Sequence, residues 1–485
     1  MNSFKASWCR RSLRMVSSST DSRRIPAEWL RQVVEDKSEA PKLYAWRLPN
    51  LPPAGASSAR NSPEVAEIAD AEDERRRIYI LGVGNIGRLY ASFLAKIEYR
   101  PPITLVVHRR ELLDEWKARP IIELVRSNGK KEKNSRFRIE WWTEAQPTHG
   151  LIREPGSGRG VSNLIVATKA PDAIAQVDRV RRYLSSASTV AFAQNGMCKL
   201  WPPLGEAYVA ARFGGDKAPG PRWLACVTTH GVKSLGPFRS VHASPADVLV
   251  GSVMVPEIRG GDGRDGNDTT TSKEDKDRNA TNNHLVKQMI SAPGLNAREV
   301  ATRELWVAQL EKLVVNAVIN PLTAVLRCKN REVFEEHGDG LRDVIDMLVN
   351  EASRTLRALV VHPSSDAILL AQDKDGKNSL TGEAGATGAN LEETRKELLE
   401  RFSPARLRGM LYTVARKVAA NTSSMLQDVQ AGKKTEIEDF NGWLVEMARY
   451  LGDEGGLPLN EKLISLVVDG AVRTREELVK ELRGD

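Results

Sequence analysis

A lysine and two asparagines recur every four residues in the long apolar segment Leu305–Leu326. Lys312, Asn316 and Asn320 therefore share one stripe of a predicted helix. Such a stripe often faces solvent, but its neighbours are apolar, and Pro321 predicts an end or a kink at this point. Hydride reduction of a ketone places negative charge on oxygen, which a lysine of lowered pKa can stabilise and protonate. The stripe predicts a site for carbonyl reduction, with Lys312 as the acid.

A glycine-rich turn follows the apolar run Arg77–Leu81 and precedes the helical pattern Arg88–Ile97. The turn consists of Gly82, Val83, Gly84, Asn85, Ile86 and Gly87. In a G-x-G-x-x-G pattern the glycines permit the turn, let a diphosphate approach the backbone, and let the helix pack closely on the strand. The strand and helix patterns supply the context that this motif needs. The segment predicts a dinucleotide site, and a purely structural glycine turn is the alternative.

The choice between NAD and NADP is made at the end of the second strand, here predicted at Ile103–Val107. His108, Arg109 and Arg110 follow that strand. These cations favour the 2′-phosphate of NADP, and the planar fork of Arg109 suits a phosphate well. Glu111 supports the NAD alternative, although an acid there also fits the first turn of a helix. We expect NADP, in its reduced form NADPH.

Polar residues follow two further predicted strands, at the edge where open α/β sheets bind their ligands. Lys169 follows the strand Asn163–Ala167, and Asn195 follows the strand Thr189–Ala193. Such residues are usually solvated loop positions. The polar run Asn421–Asp428, which contains Ser424, and the acid Glu436 are equally ambiguous, because small hydroxyls cap helices and acids favour first turns.

Strands alternate with helices through the first half of the chain, which predicts an α/β domain with a parallel, doubly wound sheet. Helical periodicity then predicts an all-α domain, with the site in the cleft between the two domains. The predicted helices are Leu305–Leu326, Leu341–Val360, Leu391–Phe402, Ala405–Leu426 and Glu436–Leu451. The predicted boundaries are a largely disordered presequence and linker at 1–74, a dinucleotide-binding domain at 75–302 with a disordered insertion at 259–283, and a helical domain at 303–482 with a flexible insertion at 373–390.

The composition fits two domains, since 485 residues exceed the size of a single core. Half of the net charge of +8 comes from four basic residues in the acid-free first twenty positions, so we expect no nucleic-acid surface. No apolar run is long enough for a membrane span. The four cysteines are scattered, which argues against a disulfide framework or a zinc site and favours a reducing compartment. The Arg- and Ser-rich N-terminus is typical of a mitochondrial transit peptide, and a disordered basic tail is the alternative.

Several stretches between Ile78 and Leu444 resemble the ketopantoate reductase (2-dehydropantoate 2-reductase) family, in particular its longer fungal members. They are ILGVGNIG, ATKA, QNGM, TTHG, EKLVVNAVINPLTAVLRCKN and NTSSMLQDVQAGKKTEIEDFNGWL. The resemblance implies a Rossmann-type NADP-binding domain and an all-α C-terminal domain like that of 6-phosphogluconate dehydrogenase. The activity that it implies is NADPH-dependent reduction of 2-dehydropantoate to pantoate in pantothenate biosynthesis.

The resemblance also implies roles for individual residues. Lys312 would be the general acid, and Glu436 would orient the cofactor and a substrate hydroxyl. The implied substrate-binding residues are Asn195, Asn316, Asn320, Asn330 and Ser424. The implied cofactor-binding residues are those of the glycine-rich turn together with Arg109, Lys169, Asn195 and Val232.

Two alternatives stay open. One is reduction of another branched 2-oxo acid. The other is a non-catalytic mitochondrial protein that retains the fold, against which the presence of both Lys312 and Glu436 argues. We expect a small-molecule 2-oxo acid as the partner, with no nucleic acid and no membrane. A homodimer is one option for an oligomeric state that the sequence leaves open, and the expected location is mitochondrial, or otherwise cytoplasmic.

Overall fold

The computed structural model describes residues 27–52, 71–214, 220–253, 283–371 and 387–484. Within these ranges the chain folds into an α/β domain followed by a helical domain, as predicted. None of the helices in the described ranges is long and apolar enough to cross a membrane.

The strands belong to the α/β domain. They are β1 (Tyr44–Trp46), β2 (Ile78–Leu81), β3 (Ile103–Val107), β4 (Ile122–Arg126), β5 (Lys131–Asn134), β6 (Arg138–Thr143), β7 (Asn163–Val166), β8 (Thr189–Phe192), β9 (Arg222–Thr228), β10 (Gly231–Ser234), β11 (Arg239–Ser244), β12 (Val248–Ser252) and β13 (Ala297–Glu299). The helices of this domain are α1 (Glu28–Glu35), α2 (Ala71–Arg76), α3 (Asn85–Leu94), α4 (Glu111–Ala118), α5 (Ala170–Val180), α6 (Leu204–Phe213) and α7 (283–291).

The helical domain follows. Its helices are α8 (Thr302–Leu326), α9 (Asn330–Phe334), α10 (Leu341–Val361), α11 (Asp366–Leu369), α12 (Thr387–Arg401), α13 (Pro404–Lys417), α14 (Ser424–Gln430), α15 (Trp443–Tyr450), α16 (Pro458–Val468) and α17 (Arg475–Arg483). A π-helical turn, Glu438–Gly442, precedes α15.

The main sheet has the strand order β1-β6-β3-β2-β7-β8-β9-β12-β13. From β6 to β9 neighbouring strands run parallel. Strands β2, β3, β7 and β8 are buried along their whole length, which their continuous apolar runs explain, because helices cover both faces of a parallel sheet. The loops after these four strands therefore meet at one edge, where the predicted cofactor residues lie.

A second sheet, with the order β10-β11-β4-β5, was not predicted. It packs against α3, the helix that follows the glycine-rich turn. Strand β5 reads Lys-Glu-Lys-Asn and is partly exposed, so it carries none of the apolar alternation by which half-buried strands are recognised.

The predicted disordered linker does not hold for residues 27–52, which we call the N-terminal strap. Its helix α1 packs against α6, and β1 pairs antiparallel with β6, with Tyr44 opposite Thr143. The Arg47 guanidinium lies 2.6 Å from the carboxylate of Glu140, which is almost fully buried. The strap is ordered because it covers the open edge of the sheet and supplies the cation for a buried acid. Residues 71–74 also belong to a helix, α2, whereas 1–26 and 53–70 lie outside the described residues.

The predicted helix Ala405–Leu426 is broken into α13 and α14. Ser423 caps α14, its Oγ accepting a hydrogen bond of 3.1 Å from the Leu426 N–H. This is the capping alternative for the hydroxyl run, since such side chains compete with helix continuation. Residues 259–282 of one predicted insertion and 373–386 of the other lie outside the described residues, whereas 387–390 belong to α12 and not to a flexible insertion.

Helix α8 continues through Pro321 to Leu326, as the predicted range Leu305–Leu326 has it, so of the two effects expected at this proline the helix end does not occur. Proline has no N–H and leaves the carbonyl of Ala317 without its helical donor. The side chain of Asn441 replaces that donor, with its Nδ2 at 2.9 Å from the Ala317 oxygen. The same Nδ2 donates to Asn460 Oδ1 at 2.8 Å. The helix stays intact because the π-helical turn satisfies the carbonyl that proline frees.

Candidate active site

The three motif glycines each meet a different steric requirement. Gly82 has φ +98°, and a Cβ there would lie 2.7 Å from the Thr168 nitrogen. A Cβ on Gly87 would lie 2.0 Å from the Gly82 oxygen, so helix α3 can approach the turn this closely only at a glycine. A Cβ on Gly84 would meet no atom within 4 Å. The open space in front of Gly84, at the N-terminus of α3, fits an anionic diphosphate.

Val232, an implied cofactor residue, lies beside this turn. The Asn85 Nδ2 donates to the Val232 oxygen at 3.4 Å, which joins the start of α3 to β10. Arg109 follows β3 at the same edge of the sheet, with half of its side chain exposed, and its Nε lies 3.8 Å from the Glu111 carboxylate. Glu111 begins α4. Arg109, which favours NADP, and Glu111, which supports the NAD alternative, are therefore neighbours in the structure.

Lys312 projects from α8 toward the carboxyl ends of the sheet strands. Its Nζ donates to Asn195 Oδ1 at 2.7 Å and also to the backbone carbonyl of Thr228. Burial lowers the pKa of Lys312 from 10.5 to about 8, although the nearby Glu436 carboxylate acts in the opposite direction. An ammonium of this pKa is a stronger acid than an ordinary lysine and can protonate a developing alkoxide near neutral pH.

Glu436 is buried against the first residue of α5. Its Oε1 accepts a hydrogen bond of 3.2 Å from the Ala170 N–H. Burial raises the pKa of Glu436, and the charge of Lys169 partly opposes that rise. Lys169 itself forms an ion pair with Asp428 of the helical domain. The structure thus brings Lys169 and Glu436 together at the domain boundary.

Lys199 and Asp439 form a further contact between the domains that the sequence did not single out. The Lys199 Nζ lies 2.6 Å from Asp439 Oδ1 and donates to the Ala170 carbonyl at 2.8 Å. A Cβ on Gly196 would lie 2.7 Å from Asp439 Cβ, so the two domains approach each other at a glycine.

A cavity lies between α8 and the ends of β8 and β9. Asn195, Lys312 and Asn316 line it, together with the apolar side chains of Val227, Leu313 and Phe440. Gln194 also lines the cavity, is 7% exposed, and leaves both amide atoms without a hydrogen-bond partner in the described part of the chain. The sequence analysis gave Gln194 no role, although this residue precedes Asn195 at a strand end and begins the stretch QNGM.

The remaining implied substrate residues divide into two groups. Asn320 is buried, and its Nδ2 lies 3.4 Å from the Ser424 Oγ, so these two lie together. Asn330 instead begins α9, where its Nδ2 donates to the Val418 carbonyl at 3.1 Å. The hydrogen bonds of Asn330 therefore do not join it to the other predicted site residues.

Comparison with known proteins gives the relationships of the chain. Residues 78–254 match the family model described as "Ketopantoate reductase PanE/ApbA", and residues 304–469 match the model of its C-terminal domain. The chain belongs to the ketopantoate reductase family. Membership of this family makes it an oxidoreductase of the class that acts on 2-oxo acids, and the resemblance stated from the sequence is confirmed.

Relatives within the ketopantoate reductase family carry two different names. The chain is 38% identical to a ketoisovalerate reductase of Beauveria bassiana, over 94% of this chain and 98% of the relative. It is 39% identical to a ketoisovalerate reductase of Gibberella fujikuroi, over 90% and 95%. A probable 2-dehydropantoate 2-reductase of Schizosaccharomyces pombe is 27% identical, over 77% and 91%.

Solved structures confirm the fold of this ketopantoate reductase family member. A ternary structure of D-mandelate dehydrogenase superposes with a TM-score of 0.51 at 17% identity, covering 81% of this chain and 98% of that one. A probable 2-dehydropantoate 2-reductase from Bacillus subtilis gives 0.50 at 17% identity, covering 81% and 99%. The predicted order of an α/β domain followed by a helical domain is therefore confirmed.

Proposed function

We propose that this protein reduces a branched 2-oxo acid with NADPH, with 2-ketoisovalerate as the preferred substrate and 2-dehydropantoate as the second candidate. The observation that carries the proposal is Lys312, an ammonium of lowered pKa held by Asn195 and Thr228 beside a partly apolar cavity. Groups of shifted pKa cluster at functional sites, which favours an enzyme over the non-catalytic alternative.

In the proposed reduction the residues of the site have different roles. NADPH, when bound at the glycine-rich turn, would supply the hydride for the carbonyl carbon of the substrate. Lys312 donates its proton to the carbonyl oxygen, so that the ketone becomes a hydroxyl and the lysine is left neutral, to be reprotonated from solvent. Asn195 and the Thr228 carbonyl hold the Lys312 Nζ in place. Glu436, fixed by the Ala170 N–H, presents a carboxyl group at the same boundary.

The substrate preference draws on two kinds of support. The two relatives at 38% and 39% identity are named ketoisovalerate reductases. The two acids differ by one hydroxymethyl group, which 2-ketoisovalerate lacks, and the side chains of Val227, Leu313 and Phe440 give the cavity an apolar part that suits an isopropyl group.

The test is a comparison of kcat/KM for the two acids with purified protein, followed by the absorbance of the reduced nicotinamide. We expect turnover of both, with a higher kcat/KM for 2-ketoisovalerate. Lys312→Met should lower kcat by about 100-fold or more, the usual contribution of a general acid. Lys396→Met, which removes an exposed lysine of α12, is the matched control. Lack of turnover of either acid by the wild type would refute the proposal and favour the non-catalytic alternative.

The cofactor preference is tested at Arg109. We propose that its guanidinium binds the 2′-phosphate of NADPH, because it follows β3 at the edge that carries the glycine-rich turn. Arg109→Ser should raise the KM for NADPH about tenfold and leave that for NADH nearly unchanged, since a charged hydrogen bond is worth about 1.5 to 3 kcal/mol. Equal effects on the two cofactors would assign the selectivity to another residue.

We also propose mitochondrial targeting by the basic N-terminus, which lies outside the described residues. The support is its Arg- and Ser-rich, acid-free composition. A fluorescent fusion of the full chain should localise to mitochondria, and a fusion without residues 1–26 should not. The shorter fusion keeps the whole N-terminal strap, so a change in location cannot be attributed to loss of the fold. A cytosolic signal from both fusions would contradict the proposal.

A further inference from the structure

Gln194 lines the cavity that holds Lys312, and its amide has no hydrogen-bond partner among the described residues. The residue is 7% exposed, and neither its Oε1 nor its Nε2 has a hydrogen-bond partner among the described residues. Burial of an unpaired donor and an unpaired acceptor is costly, and such groups are rare in native proteins. A second glutamine of this cavity shows the contrast, because Gln309 Oε1 accepts from the Trp201 Nε1 at 2.8 Å. The unpaired amide of Gln194 points to a ligand.

The position of Gln194 in the sheet indicates which part of a ligand it faces. Strand order reverses between β2 and β7, so this is the switch point of the sheet. In doubly wound sheets a dinucleotide lies across the switch point, with one half on each side. The glycine-rich turn follows β2, and Arg109 follows β3, which places the adenosine half on that side. Gln194 follows β8 on the other side and therefore faces the nicotinamide half.

The 2-oxo acid and the nicotinamide carboxamide, the two candidate partners of Gln194, differ in which hydrogen bonds they can form. An amide offers one acceptor oxygen and two N–H donors. The carbonyl and carboxylate oxygens of 2-ketoisovalerate only accept, so they would leave Gln194 Oε1 unpaired. The carboxamide of the nicotinamide ring both donates and accepts, and it can form two reciprocal hydrogen bonds with another amide. A carboxamide can therefore satisfy both atoms of Gln194 at once.

We propose that Gln194 binds the carboxamide of the nicotinamide ring, with Oε1 accepting from the carboxamide N–H and Nε2 donating to the carboxamide oxygen. The inference rests on the dinucleotide part of the proposed function. Two hydrogen bonds to one side of the ring fix its rotation about the glycosidic bond. They hold the ring at the cavity wall that Gln194 shares with Lys312. Gln194 thus positions the hydride donor relative to the proton donor.

The experiment compares the binding of two cofactors, NADPH and an altered form of it, to the wild type and to variants of Gln194. The dissociation constants of NADPH and of its reduced 3-acetylpyridine analogue are measured by tryptophan fluorescence, with no 2-oxo acid present. The analogue replaces the carboxamide NH₂ by a methyl group and so loses the donor to Oε1. We expect the wild type to bind NADPH about tenfold more tightly than the analogue, the effect of one lost hydrogen bond to a buried acceptor.

Gln194→Met keeps the length of the side chain and removes both polar atoms. It should bind NADPH about tenfold more weakly than the wild type and no longer discriminate against the analogue. Gln309→Met, which makes the same change at the second glutamine of the cavity, is the matched control and should keep the wild-type discrimination. Gln194→Glu, which keeps an acceptor oxygen, should still prefer NADPH, and it serves as the second variant if the methionine variant does not fold.

Full wild-type discrimination in Gln194→Met would overturn the inference. A variant with unchanged cofactor binding but a raised KM for 2-dehydropantoate alone would also overturn it, by assigning the amide to the substrate hydroxyl. Loss of discrimination in Gln194→Glu would contradict the role of Oε1. A wild type that binds NADPH but reduces neither 2-oxo acid would contradict the proposed substrate and leave the role of Gln194 standing. A wild type that binds neither NADPH nor the analogue would refute both proposals.

Discussion

The ammonium of Lys312 is the group whose titration sets the pH range of the proposed reaction. A general acid works only while it is protonated, and burial lowers the pKa of Lys312 to about 8. We therefore expect kcat/KM for reduction to be constant at lower pH and to fall tenfold per pH unit above about pH 8. A pH profile with a saturating cofactor concentration measures this. A profile that stays level to pH 10 would contradict the assignment of Lys312 as the acid.

Asn195 tunes this acidity through its hydrogen bond to Nζ. Its Oδ1 lies 2.7 Å from the ammonium and stabilises the charged form, so Asn195→Ala should lower the pKa of Lys312 further. We expect the descending limb of the pH profile to move to lower pH, and kcat/KM at pH 7 to fall about tenfold. Asn128→Ala, at an exposed turn of the same domain, should leave the profile unchanged. An unmoved limb would mean that the Thr228 carbonyl alone holds the charge.

The sequence predicted those site residues whose polar side chains recur at a regular spacing in an apolar helix. Lys312 and Asn316 were found because polar side chains every four residues in an apolar helix need an explanation, and both line the cavity. Gln194 was missed because an amide at a strand end is an ordinary loop residue until its burial and lack of partners are known. The Thr228 contact was not predictable either, because a backbone carbonyl carries no sequence signal.

At the scale of elements, α8 depends on the π-helical turn that Asn441 belongs to. Asn441 is fully buried, and its Nδ2 occupies the Ala317 carbonyl that Pro321 leaves free. Asn441→Ala should therefore destabilise the protein by about 2 kcal/mol, the cost of a buried unpaired carbonyl. In a Pro321→Ala background the helix supplies its own donor, so the same change should cost about 1 kcal/mol less. Urea denaturation of the four proteins measures the coupling, and strictly additive effects would contradict it.

Helix α3 and the β10–β11 hairpin meet at a buried guanidinium. Arg88 is 5% exposed and donates to the Gly84 carbonyl at 3.0 Å, to Asn85 Oδ1 at 3.0 Å and to the Arg239 carbonyl at 2.7 Å. Burial lowers the pKa of Arg88 to about 10, so its charge persists near neutral pH. Its hydrogen-bond acceptors in the described structure are uncharged.

We expect Arg88→Gln to weaken NADPH binding about tenfold, because it removes a positive charge beside the anion site and loosens the turn. Arg126→Met, which removes a guanidinium from strand β4 of the second sheet without touching the turn, is the control in a fluorescence titration. Unchanged affinity in the Arg88 variant would show that the glycine backbone binds the diphosphate without help from this charge.

At the scale of the molecule, the N-terminal strap lies outside the residues that the family models match but is part of the fold. Arg47→Met should leave the carboxylate of Glu140 buried, with the Trp142 Nε1, at 2.8 Å, as its remaining donor in the described part of the chain. We expect a loss of about 3 kcal/mol in the free energy of unfolding. The double variant Arg47→Met with Glu140→Gln should recover part of that loss, since a neutral amide needs no cation. Thermal unfolding measures both, and a single variant as stable as the wild type would contradict the role of the strap.

The N-terminal strap and the second sheet are parts of the fold that the sequence did not predict. The parallel core was predictable, because β2, β3, β7 and β8 are continuous apolar runs bounded by turn residues. Strand β1 has only three residues, Tyr44–Trp46, and its pairing partner β6 lies about a hundred positions later in the chain. Local patterns carry no information about such distant pairing. The break at Ser423 was missed for another reason, because a capping hydroxyl ended a segment whose apolar period continued.

The contacts of Lys312 connect its chemistry to the arrangement of the two domains. The lysine belongs to the helical domain, whereas the oxygens that accept its hydrogen bonds, on Asn195 and Thr228, belong to the α/β domain. Separation of the domains would return the ammonium to water and its pKa toward 10.5. Lys312 is therefore a stronger acid in the closed arrangement than it would be with the domains apart. The acidity of Lys312 thus depends on how the two domains are arranged, and not on the sequence around the lysine alone.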